Sequence, residues 1–252
     1  MRISLVTVAR NASATIADTI KSVGRQTDIE FEHLLIDGAS TDDSIAIAKR
    51  NAAHSLRVLS ERDRGIYDAM NKGIRLASGE IIGLINADDM LAHAGVLSQV
   101  STVLDQNPKA MGCYANLVYV DRVMPDKIVR HWRSNPFTLG LFARGWVPPH
   151  PTLYLRREVY ERLGGFDHTY RFAADFEFML RIFEVHRLPM VYVPDVWVRM
   201  RLGGATSAGW RNILAGNREI AAALRRHRVG WPPFTQACRF LRRVPQFVFK
   251  AR

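Results

Sequence analysis

The chain predicts an α/β fold, with a Rossmann-like, mostly parallel twisted sheet flanked by helices and a basic helical tail at its C-terminal end. Three observations lead there. Short apolar runs alternate with helical patterns through residues 1–105, at the spacing of βαβ units. Acidic residues follow two of those runs, where the ligand crevice of a parallel sheet opens at the carboxyl ends of its strands. Positive charge is confined to one end: residues 199–252 carry twelve Lys and Arg against one carboxylate, Glu219, so the net charge of +11 belongs to the tail and the body is neutral.

Residues 3–9 form an apolar run of strand length, followed by a helical stretch over 13–26. Residues 33–37 make a second strand that ends on Asp37, with a helix over 42–51, and 56–59 a third, shorter strand. Between 66 and 76 a helix places Ile66, Met70, Ile74 and Ala77 on one stripe. The fourth strand, 80–85, runs into Asn86-Ala-Asp88-Asp89, and a helix follows over 94–104. Beyond it, 113–120 reads as a strand, and 121–130 turns through Pro125 into a pairing strand. Pro148-Pro-His-Pro151 is a rigid loop entering a strand at 152–155; a helix at 158–163 stops at Gly164-Gly165. A helix rich in aromatic residues covers 175–185, and 190–193 is a last strand. In the tail, 210–226 is helical, with Ile213, Leu214, Ile220, Ala221 and Leu224 on one side. After Trp231-Pro-Pro233, Phe234, Ala237, Cys238 and Leu241 recur at helical spacing, and Phe247-Val-Phe249-Lys250 closes the chain.

Composition narrows the class. With 252 residues, 48% hydrophobic and 23% charged, the chain is globular and neither disordered nor of low complexity. No apolar run approaches the ~20 residues that span a bilayer, and the first residues read as a strand rather than a signal peptide. Two cysteines, Cys113 and Cys238, make no disulfide framework and point to a reducing compartment.

The chemistry begins at Asp88 and Asp89. Adjacent carboxylates repel unless a cation or hydrogen-bond donors neutralise them, and oxygen ligands of this kind suit Mg²⁺ or Mn²⁺ shared with phosphate oxygens. The pair alone is equally readable as a cap for the helix that follows. Asp37 lies on the strand side of Gly38, where a carboxylate accepts from a base N–H or a ribose hydroxyl; a turn or capping role is the alternative.

Four segments occur in order: Val6-Thr-Val-Ala-Arg-Asn11, Asp37-Gly-Ala-Ser-Thr-Asp42, Asp63-Arg-Gly-Ile-Tyr-Asp-Ala-Met-Asn-Lys-Gly73 with Ala77-Ser-Gly-Glu80, and Asn86-Ala-Asp-Asp89. Together they resemble glycosyltransferase family two, inverting enzymes of the GT-A fold, over about residues 2–205. The likeness is to the bacterial transferases of exopolysaccharide and glycolipid assembly, which share the Gly-Ile-Tyr-Asp-Ala-Met-Asn run and a late Gly-Gly-x-x-Ser. The resemblance implies a nucleotide-binding half over 1–105, an acceptor half over 106–205, and a separate tail over 206–252. It implies that Asp37 binds the nucleotide base, that Asp89 touches the metal, and that Asp88 serves the metal, ribose or sugar. Ala9, Asn11, Asp63, Asp68, Asn71 and Lys72 then line the nucleotide-sugar pocket, as does Asn86, which replaces an acid found in some relatives.

By the same resemblance Asp175, in Phe172-Ala-Ala-Asp175-Phe-Glu177, aligns with the general base, and Ala174 stands where a partner acid is usual. An acceptor hydroxyl must lose a proton as it attacks the anomeric carbon, and a carboxylate within reach takes it. Attack opposite the diphosphate inverts that centre while a metal stabilises the leaving charge. Periodicity alone makes Asp175 a helix cap, and Glu177 is the alternative base. Arg201 occupies the position of a metal-site histidine in many relatives; an arginine clamps phosphate instead. His150 resembles a histidine of the acceptor-side loop, with a structural hydrogen bond as its alternative. Trp132, Trp146 and Phe172 stack on sugars or pack the core.

The expected partners are a nucleotide-diphosphate sugar, a lipid-linked or glycolipid acceptor, and an anionic membrane surface met by the tail. A cytoplasmic protein, peripheral on the inner membrane face, follows. Nucleic acid is not expected, since the body is neutral and the tail has no recognition fold. Two other classes compete. A sugar nucleotidyltransferase requires a Gly-rich loop after the first strand, where this chain has Ala9-Arg-Asn-Ala-Ser13. A non-catalytic nucleotide-binding protein would leave the work to the tail.

Overall fold

Every residue of the first strand, β1 (Ile3–Ala9), is buried, and its side chains divide by parity. Ile3 and Leu5 enter one apolar cluster while Val6 and Val8 enter another, so helices must cover both faces of the sheet. The computed structural model describes residues 1–203 and 209–243. After β1 come α1 (Ile16–Gly24), β2 (Phe31–Asp37), α2 (Ser44–Asn51), β3 (Leu56–Ser60), α3 (Ile66–Leu76), β4 (Ile81–Asn86), β5 (Met90–Leu91) and α4 (Val96–Gln106). The second half holds β6 (Gly112–Val120), β7 (Ile128–Trp132), β8 (Tyr154–Arg156), α5 (Arg157–Leu163), α6 (Ala174–Leu180), β9 (Met190–Arg201), α7 (Trp210–Arg226) and α8 (Pro232–Arg243).

The strands form one sheet in the order β3-β2-β1-β4-β8-β6-β9-β5, with β7 on β6. β3, β2, β1 and β4 are parallel, as are β6 and β9; β8, β5 and β7 pair antiparallel. This is the expected mostly parallel α/β sheet. The carboxyl ends of β1, β2, β3 and β4 therefore lie along one edge, which carries the loops after Ala9, Asp37, Ser60 and Asn86. Gly73 lets α3 lie against that sheet: a Cβ there would stand 2.2 Å from Val6 Cγ1.

Four expectations change in detail. The strand expected at 190–193 continues to Arg201 because its pairing with β6 shifts register between Tyr114↔Tyr192 and Asn116↔Val196, and that bulge absorbs Pro194. The helix expected over 175–185 starts at Ala174 and relaxes into a π-helical turn over Arg181–Val185. The helix expected over 94–104 runs over Val96–Gln106, and a two-residue strand not expected from the sequence, β5, pairs with β9 between it and Asp89. In the tail, Ile220, Ala223 and Leu224 of α7 join the cluster that holds α3 and α6. The Gly-Gly-x-x-Ser stretch beyond Gly203 and the 247–250 segment lie outside the described residues. Among the described residues, no helix is long and apolar enough to cross a membrane.

Candidate active site

At the end of β1, Ala9 is buried and Asn11 turns the chain with φ 49°, a conformation Asn tolerates. The Asn11 amide donates to Ser40 Oγ (2.8 Å), and its Oδ1 accepts from the Thr41 amide (2.9 Å). Asp37 is fully buried at the end of β2. Its carboxylate accepts from the Ser40 amide (2.9 Å), the Ser40 hydroxyl and Ser60 Oγ (2.7 Å), the turn role open to it. Beside it lies a cleft of about 270 Å³ lined by Arg10, Gly38, Ala39, Thr41, Arg62 and Asp63. Asp63 Oδ1 and Glu61 Oε1 receive the Lys72 ammonium at 2.5 and 2.8 Å. Burial works against that ammonium, but the bonds from Asp63 and Glu61 outweigh it and hold its pKa above the usual lysine value. Arg10 and Arg62, which have no ion-pair partner among the described residues, leave the cleft cationic. Neither was singled out as a site residue; the signal for Arg10 was its place between Ala9 and Asn11.

The loop after β3 enters α3 through Gly65, whose φ of 136° suits glycine. Asp68, buried in the first turn, accepts from the Arg64 amide (3.0 Å) and guanidinium (3.3 Å), and the amide bond above all holds its carboxyl below the usual range. One turn on, Asn71 Nδ2 donates to the Phe166 carbonyl (2.8 Å) and Oδ1 accepts from the Phe166 amide (2.9 Å). Asp68 thus fastens the start of α3, and Asn71 clamps the loop before α6.

Tyr67, just before Asp68 in the first turn of α3, reaches α6. Its hydroxyl donates to Asp175 Oδ1 at 2.9 Å, and burial followed by the charge of Asp175 raises the phenol's pKa. Asp175 sits in the first turn of α6, whose N-cap is Ala173, so the carboxylate is not spent as the cap. Among the described residues it has no ion-pair partner. His150 is close enough for that charge to favour its protonation, although burial lowers its pKa on balance; its ring meets Phe166 edge-on at 5.5 Å. Glu177 is placed differently: nearly fully buried, it binds Arg181 (3.1 Å) and His227 (2.7 Å). Trp146 is core, packed edge-on against Phe142, Tyr114 and Phe183, and Trp132 stacks on Tyr119. Phe172 is half-buried ahead of α6.

The Asn86–Asp89 turn joins β4 to β5. Asp88 keeps solvent access, while Asp89 is fully buried. Burial, then the neighbouring Asp88 charge, drives the Asp89 pKa well up, and burial also raises that of Asp88. Asn86 Nδ2 donates to Asp89 Oδ2 (3.1 Å), leaving Asn86 Oδ1 and Asp89 Oδ1 buried without hydrogen-bond partners among the described residues. Arg201, at the end of β9 and nearly buried, bonds Asp18 Oδ2 (2.5 Å) and the Asp88 carbonyl (3.3 Å). No group of three or more His, Cys, Asp or Glu among the described residues could hold a metal ion. The two orphaned oxygens with the Asp88 carboxylate nonetheless make a hard, anionic donor set that fits a divalent cation completed by phosphate oxygens. Asp18 had no sequence signal as the partner of Arg201, 183 positions away.

The family model for Glycosyl transferase family 2 matches residues 4–170. A PGL/p-HBAD biosynthesis glycosyltransferase of Mycobacterium bovis is 31% identical over 183 residues, covering 71% of this chain and 69% of that protein. The O-antigen biosynthesis protein RfbC of Myxococcus xanthus is 30% identical over 220 residues, covering 82% of this chain and 16% of that one. Among solved structures, S. aureus TarS 1-349 in complex with UDP superposes with a TM-score of 0.65 at 15% identity, covering 99% of this chain and 73% of that one. The longer TarS chain is covered to 46%. The mannosyltransferase PcManGT from Pyrobaculum calidifontis, in complex with GDP-Man and Mn2+, gives a TM-score of 0.69 at 20% identity, covering 95% and 69%. These likenesses give the fold.

Proposed function

Because the chain belongs to glycosyltransferase family 2 and is a glycosyltransferase, we propose that it moves a sugar from a nucleotide-diphosphate sugar to a hydroxyl of a lipid-linked saccharide or glycolipid, with inversion and with Asp175 as general base. Family membership displaces the nucleotidyltransferase and binding-protein alternatives. The observation that carries this reading is the placement of Asp175: among the described residues its carboxylate meets one neutral donor, the Tyr67 hydroxyl of α3, and no ion-pair partner. A carboxylate with no ion-pair partner among the described residues is open to an acceptor hydroxyl, whose proton it can take. Asp175 takes the acceptor's proton as its oxygen attacks the anomeric carbon, and one displacement on the face opposite the diphosphate inverts the centre. His150 borders the base on the acceptor side.

The cationic cleft of Arg10, Gly38, Ala39, Thr41, Arg62 and Asp63 supports a nucleotide donor, as do the UDP and GDP-Man complexes of the structural neighbours. Asp88, Asp89 and Asn86 Oδ1 would hold Mg²⁺ or Mn²⁺, which neutralises charge on the leaving diphosphate when bound. Arg201 adds a fixed positive charge beside them. The acceptor and the location on the inner membrane face are supported by the tail, where Trp210, Ile213, Leu214, Phe234, Phe240 and Leu241 are exposed among arginines.

The test is a thermal-shift panel of UDP, GDP, ADP and dTDP, each with Mg²⁺ or Mn²⁺, followed by Asp175→Asn. A selective, cation-dependent shift that survives the substitution, with turnover of the matching donor sugar lost, is the expected result. An Asp175→Asn protein with full turnover removes the base assignment.

A further inference from the structure

α6 begins without a capping side chain of its own: Ala173 is the N-cap. A helix start leaves amide donors unpaired, and a base mounted in the first turn inherits whatever fraying results. The tail braces the loop that leads into this start. Glu219 of α7 accepts from three consecutive amides, Arg171 (3.0 Å), Phe172 (2.8 Å) and Ala173 (2.9 Å). A carboxylate that gathers three successive N–H groups makes charge-assisted bonds and fixes the backbone that carries them. Asp175 follows two residues later.

α7 is itself held. Ile220, Ala223 and Leu224 lie in the main core, and about two turns beyond Glu219, His227 Nε2 meets Glu177 Oε1 at 2.7 Å. Helix α7 therefore grips α6 on both sides of Asp175. The charge of Glu219 also reaches the hydroxyl that Asp175 uses, since it raises the pKa of Tyr67. In a stretch otherwise rich in arginine, the one carboxylate turns inward to this loop. Tyr67 orients one carboxylate oxygen; the backbone position of Asp175 is set from α7.

We infer that Glu219 is a positioning residue for the base at Asp175, which makes α7 part of the catalytic unit rather than a detachable tail. This rests on the reading of Asp175 as the base. The full chain is compared with Glu219→Gln, which keeps one acceptor oxygen, and Glu219→Ala, which keeps none. Hydrogen exchange reports the amides of residues 171–176; release of nucleoside diphosphate from UDP-glucose, UDP-N-acetylglucosamine or GDP-mannose with Mn²⁺ reports turnover. Exchange at those amides rises from Glu to Gln to Ala, kcat falls by about tenfold in Glu219→Gln, and donor KM stays within about twofold. In an Asp175→Asn background the kcat effect of Glu219→Gln vanishes, because it acts through the base.

Unchanged exchange at 171–176 in Glu219→Ala overturns the inference even where no donor of the panel is turned over. So does a Glu219→Gln defect in donor KM alone, or one of equal size with and without Asp175. Loss of turnover in Asp175→Asn with an unaltered Glu219→Gln enzyme overturns the inference and leaves the base standing. Full turnover in Asp175→Asn overturns both.

Discussion

Asp175 and Glu177 stand two positions apart on α6 and face different surroundings. The 3.6-residue period turns them to different sides of the helix, one toward Tyr67 and one toward Arg181 and His227. A buried carboxylate already bonded to the Arg181 guanidinium and the His227 ring is not free to take a proton from a substrate. Glu177→Ala should therefore cost about 3–5 kcal/mol of stability, seen as a lowered urea midpoint with turnover lost only in proportion to unfolding. A stably folded, inactive Glu177→Gln protein would shift the base from Asp175 to Glu177. Sequence spacing separates the two directions, but only the fold shows which is spoken for. The same holds at Asp37 and Asn71: their positions after a strand and on a helix face, and the local turn from Asp37 to Ser40, are legible in sequence, while Ser60 and the Phe166 backbone that also occupy them come from other segments.

Among the elements, those of the first half follow their patterns closely, since parallel strands buried on both faces read as short apolar runs. The departures come where pairing overrides local signal: β9 runs past Pro194 on a bulge, and β5 exists only because β9 passes beside the Asp88–Asp89 turn. One buried contact between elements carries a pH signature. His33 of β2 bonds Thr7 Oγ1 and His54 Nε2, each at 2.8 Å. Burial, reinforced by the neighbouring His54, pushes its pKa down to about 3 from 6.5. The unfolded chain then binds a proton that the folded one refuses between those values. Stability is accordingly full above about pH 6.5 and falls on acidification, by up to ~1.4 kcal/mol per unit from this group. Denaturation midpoints between pH 7 and 5 should slope less in His33→Gln than in the parent; parallel slopes would clear the histidine pair of the effect.

On the scale of the whole molecule, the tail joins two surfaces. Its inner side belongs to the main core, so cutting at residue 206 would remove Ile220, Ala223 and Leu224 from that cluster. Its outer side exposes Phe240 (70%) and Leu241 (65%) beside Arg242. Substitution is the cleaner probe there. The parent chain should float with phosphatidylglycerol vesicles, less with phosphatidylcholine and less at high salt. Phe240→Ser with Leu241→Ser should weaken flotation while leaving the melting temperature in place. Equal flotation by parent and double variant would dismiss this surface as the membrane contact.

Sequence by itself determined the α/β alternation, the acids after the strands, the order of motifs that marks the family, and the concentration of charge in the last fifth of the chain. Each is a local property, written in periodicity, turn chemistry and residue type. Tertiary structure alone decided which carboxylates are occupied. Asp37 is closed by Ser60, Glu177 by His227 and Asp18 by Arg201, whereas among the described residues Asp175 meets one hydroxyl and its loop is held by Glu219. Proton affinity and ligand capacity depend on charges and donors within a few ångströms, and folding assembles those neighbours from positions that no local pattern connects.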